Sequence, residues 1–91
     1  MTHAFYSDAA EKILRGDLSV GERMAVMSVR ASLEEEPTPD HARRLPSVDP
    51  HAESYALDLL PEQTGGRGIT VVYRYHQDLD AALILWLIAG P

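Results

Sequence analysis

Two apolar runs near the C-terminus, residues 69–76 and 82–88, are separated only by the polar connection Gln77-Asp78-Leu79-Asp80 and Ala81. A short polar connection between two strand-length runs specifies an antiparallel hairpin, and little else can be folded around it. In the first run Ile69, Val71, Tyr73 and Tyr75 alternate with Thr70, Val72, Arg74 and His76, the period of a strand with one face in a core. The second run carries almost no polar atom from Ala82 to Ile88. It predicts a strand covered on both faces, with Trp86 in the core and its indole N–H needing one partner.

Upstream, Phe5-Tyr6 suits a short edge strand, and Ser7 or Asp8 can cap a helix running to about Leu14 and ending at Arg15-Gly16, with Gly16 as the C′ residue. Ser19-Val20-Gly21-Glu22 announces a second helix through a capping box. Behind it Val20, Met24, Met27 and Ala31 fall on one face, and Val26, Val29 and Leu33 widen that stripe, so this helix is expected to pack against a sheet. It ends in Glu34-Glu35-Glu36 before Pro37, where acids oppose the helix dipole and read as a solvated, fraying turn. Residues 37–50 contain four prolines and predict a loop with at most one helical turn. Strand pattern resumes at Ser54, with Tyr55, Leu57 and Leu59 alternating against Ala56, Asp58 and Leu60 before a Gly-rich turn at 64–68. The expected architecture is one α+β domain over residues 1–91: a small antiparallel sheet with two N-terminal helices packed on one face.

At 91 residues the chain holds one core. It has no cysteine, which excludes disulfides and thiolate metal sites. Fourteen acidic residues against eight basic ones give a net charge of −6, and a repulsive average field opposes nucleic-acid binding. Lys12 with Arg15, and Arg43 with Arg44, are the local basic pairs, best read as solvated surface. Residues 1–12 lack the pattern of a signal peptide, and 81–89 is too short to cross a bilayer. A cytoplasmic location with no membrane partner follows as an expectation. His3, His41, His51 and His76 lack metal-ligand spacing, so neither metal nor cofactor is expected.

Ser7-Asp8-Ala9-Ala10 opening the first helix, Arg43-Arg44-Leu45 before the sheet, and above all Val71-Val72-Tyr73-Arg74-Tyr75, followed by the apolar run to Gly90, carry a resemblance. With the order of elements they make the chain similar to the RelE/ParE toxin superfamily of bacterial toxin–antitoxin modules. The resemblance implies a RelE-like fold and an antitoxin as partner. RelE-like members are ribosome-dependent mRNA nucleases with basic residues on the sheet, where cations stabilise charge on a scissile phosphate. Here Tyr55-Ala56-Leu57-Asp58 occupies the strand where such members carry two lysines, and Thr70 stands where several hold an arginine. The basic residue of the final segment would follow Gly90, where the sequence stops at Pro91.

What remains for a nuclease is Arg74 and His76, two residues apart on one strand face, with Arg67 in the Gly-rich turn and the tyrosines Tyr55, Tyr73 and Tyr75. His76 would serve as general base and Arg74 with Arg67 as phosphate clamp; the plainer alternative makes Arg74 and His76 solvent-face strand residues. Arg67 lies in no phosphate-binding loop, lacking its lysine and following helix. The leading expectation is a catalytically degenerate toxin-type protein acting through protein contacts, at the sheet edge 55–60 or in a groove between the helices that takes an antitoxin helix, with a homodimer as a further option. The alternatives are an active mRNA endonuclease meeting ribosome and mRNA, a ParE-like inhibitor of a topoisomerase, and a structural or interaction module unrelated to toxins.

Overall fold

The computed structural model describes residues 2–47 and 49–90; the expectation attached to Pro91 lies outside them. The elements are β1 (His3–Tyr6), α1 (Asp8–Gly16), α2 (Val20–Glu35), β2 (Arg43–Leu45), β3 (Ala52–Leu59), α3 (Pro61–Thr64), β4 (Ile69–His76) and β5 (Ala81–Ala89). One five-stranded sheet has the order β1-β5-β4-β3-β2, with β1 parallel to β5 and every other pairing antiparallel. The α+β architecture is the expected one. Its sheet is mixed, because β1 runs parallel to β5, and it has one strand, β2, beyond the short first strand, the strand from Ser54 and the hairpin that the pattern showed.

Helix α1 begins where Ser7 Oγ accepts the Ala10 N–H at 3.1 Å. It runs two residues past the expected end at Leu14: Gly16 is helical and Asp17 caps the end, its N–H donating to the Ile13 carbonyl. Helix α2 has the expected capping box between Ser19 and Glu22. Its acidic end stays helical to Glu35, with Glu34 beside Arg30 at 3.7 Å. The short α3 starts at Pro61, which has no N–H to lose, and ends at Gly65 in the left-handed conformation, φ 72°. Gly21 lets α2 and α3 touch, since a Cβ there would lie 2.6 Å from the Thr64 carbonyl oxygen.

The face that α2 buries is not the one its strongest apolar stripe suggests. Val26, Val29 and Leu33 are in the core together with Glu22, while Val20, Met24 and Met27 are exposed, at 69%, 63% and 47%. Residues 20, 24, 27, 31 and residues 22, 26, 29, 33 have identical helical spacing on opposite sides, so periodicity cannot choose between them. A carboxylate at position 22 marks its stripe as the wet one. Glu22 is buried nonetheless, because the Arg67 guanidinium neutralises it through Nε and Nη2 at 3.0 Å each.

Between the helices and the sheet the core gathers Leu14, Val26 and Leu33 against Ile69, Val71, Tyr73, Ile84 and Leu87. Burying side chains of this size contributes about 1.5–3 kcal/mol each. Residues 43–45 form an edge strand inside the segment expected to be loop, held by pairing to Ser54, Tyr55 and Ala56. Local sequence carries little trace of such a strand, since its partner supplies the reason for it.

Strand β5 departs from its expected burial. The register slips between Val72 and Tyr73, whose partners are Trp86 and Ile84, leaving Leu85 as an extra residue. This β-bulge reverses the alternation beyond it: Ile84 and Leu87 point into the core, and Trp86 and Ile88 are 52% and 56% exposed. The strand is thus open on one face, and Trp86 is a surface residue. Ser7 pins the bulge, its N–H donating to the Ile84 carbonyl at 2.8 Å and its hydroxyl to the Leu85 carbonyl at 2.7 Å. Ser7→Ala keeps the N–H bond but removes the hydroxyl's bond to Leu85 and the α1 cap together. A loss of about 1–2 kcal/mol is expected in chemical denaturation, and an unchanged midpoint would show that Ser7 holds neither.

Candidate functional site on the outer sheet face

The helices cover one side of the sheet, and the register assembles the other side in cross-strand rows. Phe5, Leu83, Arg74 and Ser54 form one row; Trp86, Val72, Ala56 and Arg43 the next; Ile88, Thr70 and Asp58 the last. His76 lies beyond the first row, opposite Ala81 and Ala52. Ser54 and Ala56, small and flanked by longer side chains, are buried on this face. Phe5, Trp86 and Ile88 stand out of it, all more than half exposed.

The charged groups are few and mostly committed. Arg43 grips Asp58 through Nε at 3.0 Å and Nη2 at 3.1 Å, and the Thr70 hydroxyl donates to the same carboxylate at 2.8 Å. Arg43, and then Thr70, hold the Asp58 carboxyl below the usual carboxylate range. Asp58 and Arg43 therefore cancel locally, which removes the repulsion expected of Asp58 and also occupies Arg43. Arg44, off this face, pairs with Glu53 at 3.4 Å. Arg74 is the exception: its Nε is buried and has no hydrogen-bond partner among the described residues.

Of the residues singled out for chemistry, the fold brings together Arg74 and His76 alone, on one face of β4 and about 7 Å apart along the strand. Arg67 belongs to the opposite layer. Its guanidinium binds Glu22 and the Asp17 carbonyl, the latter at 2.7 Å, so it clamps the α1–α2 corner to the α3–β4 turn. The tyrosines are also on the helix side. Tyr73 is fully buried, stacks on Tyr55 with ring centroids 5.4 Å apart, and donates to the Pro37 carbonyl at 2.8 Å. Tyr75 donates to Asp80 at 3.1 Å. Burial, with Glu53 adding to it, pushes the Tyr55 hydroxyl up to about 12, and burial raises Tyr73 as well. These hydroxyls stay protonated and serve packing.

Surface hollows lie elsewhere, two of them against α2. One of about 380 Å³ runs between α2 and β3, lined by Ala25, Val29, Leu57 and Leu59 among others; a shallower one of about 280 Å³ lies on the outer side of α2 over Met24, Met27, Ser28 and Ala31. The edge expected at 55–60 is partly closed, because β2 covers Ser54 to Ala56. The signal that sequence reading missed was the outward Phe5–Trp86–Ile88 cluster, hidden by the bulge.

The helices on one side and an open, bare sheet face on the other define a RelE-like α+β fold. A chain in the crystal structure of the archaeal RelE–RelB complex from Pyrococcus horikoshii is similar, with TM-score 0.75 and 19% identity over 97% of this chain and 93% of that one. The isolated E. coli RelE toxin gives TM-score 0.76 and 15% identity, covering 100% of this chain and 86% of that one. For the intact E. coli RelBE toxin–antitoxin complex the values are 0.73 and 14%, with 100% and 99% covered. No family model matches the sequence, and no curated protein matches it. Among the described residues no helix is long and apolar enough to cross a membrane.

Proposed function

We propose that this chain is the toxin-type member of a toxin–antitoxin pair, and that its sheet face works by protein contact instead of RNA cleavage. The fold supports the first part, together with neighbours solved as complexes of a toxin with its antitoxin. The second part is carried by one observation: the outer face exposes apolar side chains, Phe5, Trp86 and Ile88, in three successive rows, with a single arginine that has no partner among the described residues. A nuclease needs several cations to hold a backbone and to meet charge developing on phosphate. The antitoxin is met by the other apolar surface, the stripe Val20, Met24, Met27 and Ala31 along α2, a form suited to an amphipathic helix.

The second reading keeps the nuclease, because Arg74 and His76 do share a face. Controlled expression in a bacterial host, with growth and total mRNA followed together, separates the two. Intact mRNA is expected whether or not growth slows. Cleaved mRNA would overturn the protein-contact reading, and loss of that cleavage in Arg74→Ala and His76→Ala, both still folded, would establish the nuclease.

A further inference from the structure

Five of the seven arginines are ion-paired, and Arg23 donates to the Leu14 carbonyl at 3.2 Å. Arg74 alone makes no hydrogen bond or ion pair among the described residues, and its Nε is buried. A cationic donor withdrawn from water without an acceptor is costly to a fold. It is retained between Leu83 and Ser54 in its own row, with Val72 and His76 on either side of it along β4 and Trp86 opposite Val72 in the next row. An arginine on a face that also exposes Phe5, Trp86 and Ile88 is the composition of an interface hot spot.

The ligand must bring an anion and an apolar body. A second copy of this chain meeting it face to face brings no free anion: the carboxylate on this face, Asp58, is held by Arg43 and Thr70, and such pairing would set arginine against arginine. RNA would bring many anions to a face whose one uncommitted arginine among the described residues is Arg74, on a chain of net charge −6. A polypeptide carrying one carboxylate among apolar side chains matches both features. Long-range repulsion by the acidic chain does not forbid it, since distant charges are screened beyond about 8–10 Å.

Resting on the protein-contact reading above, we infer that the outer sheet face binds a partner polypeptide through one Asp or Glu side chain. Arg74 receives that carboxylate, and the flanking aliphatic or aromatic side chains lie across Phe5, Trp86 and Ile88. Two N–H groups of a guanidinium can meet a carboxylate in one plane, which neither a lysine nor a neutral amide reproduces.

The probe is a phage-displayed library of random dodecapeptides, selected on the full chain, with an oligouridylate as the nucleic-acid control. Trp86 is the one tryptophan, so its emission reports occupancy of this face directly. Selected tryptophan-free peptides are expected to share an Asp or Glu beside apolar residues and to shift Trp86 emission to the blue. They are expected to weaken by about tenfold or more when that acid becomes its amide. In Arg74→Gln, with circular dichroism unchanged, acid and amide peptides should bind alike. The inference is overturned if no peptide is enriched, if enriched peptides lack an acid, if Arg74→Gln keeps the preference for acid, or if oligouridylate displaces the peptides. Such a failure leaves the growth and mRNA result untouched, whereas cleaved mRNA would sink the proposed function whatever the peptides do.

Discussion

Tyr73→Ala is expected to lower the melting temperature by roughly 20 °C, the largest effect of any single change considered. The side chain is fully buried, and truncating a buried aromatic ring costs about 3–5 kcal/mol, which in a domain of this size moves the midpoint by about 4–8 °C per kcal/mol. The ring also stacks on Tyr55, and its hydroxyl donates to the Pro37 carbonyl, so the change releases the segment after α2 as well as opening a cavity. Tyr73→Phe keeps the ring and loses about 1 kcal/mol. Thermal denaturation of both variants checks the argument. Equal midpoints would show that the hydroxyl, and not the ring, carries the stability.

The second large effect is at Glu22. Its carboxylate accepts from Ser19 N–H at 2.8 Å, Arg67 N–H at 2.8 Å, and Arg67 Nε and Nη2 at 3.0 Å. Glu22→Ala empties the capping box and strands Arg67, and a fall in Tm on the order of 10 °C is expected. The pH dependence follows from the same contacts. Hydrogen bonds from Arg67, then those from Ser19 and the Arg67 backbone, hold the Glu22 carboxyl far below its ordinary range. A depressed native pKa gives stability that is fully present above the unfolded value of about 4.3. That stability drains away as pH falls below it towards the native value. Melting curves between about pH 6 and 3 should therefore fall more steeply for the wild type than for Glu22→Gln. Parallel curves would mean that Glu22 is ionised no more readily folded than unfolded.

The hairpin, the caps at Ser7 and Ser19, and the helices-then-sheet order were legible because each rests on neighbours a few residues apart. The pairing of Arg74 with His76 on one face was legible for the same reason, since alternation along a strand is local. Arg67 shows where that logic ends. Nothing near it in the chain says that its partner is Glu22, 45 residues away.

The chain's own pattern thus determined the fold class, the β4–β5 hairpin and the residues of β4 that face away from the helices. Tertiary structure decided two matters that pattern left open. On α2, two stripes of identical spacing competed, and the one carrying a carboxylate went inside because a distant guanidinium cancels its charge. On β5, every residue from Ala82 to Ile88 is apolar, so alternation has no contrast to read. One extra residue at Leu85, pinned by Ser7, then sends Trp86 outward and Leu87 inward. Hydrophobic patterning reports which side chains avoid water on average; which of them get the chance depends on charges and backbone bonds supplied from elsewhere in the fold.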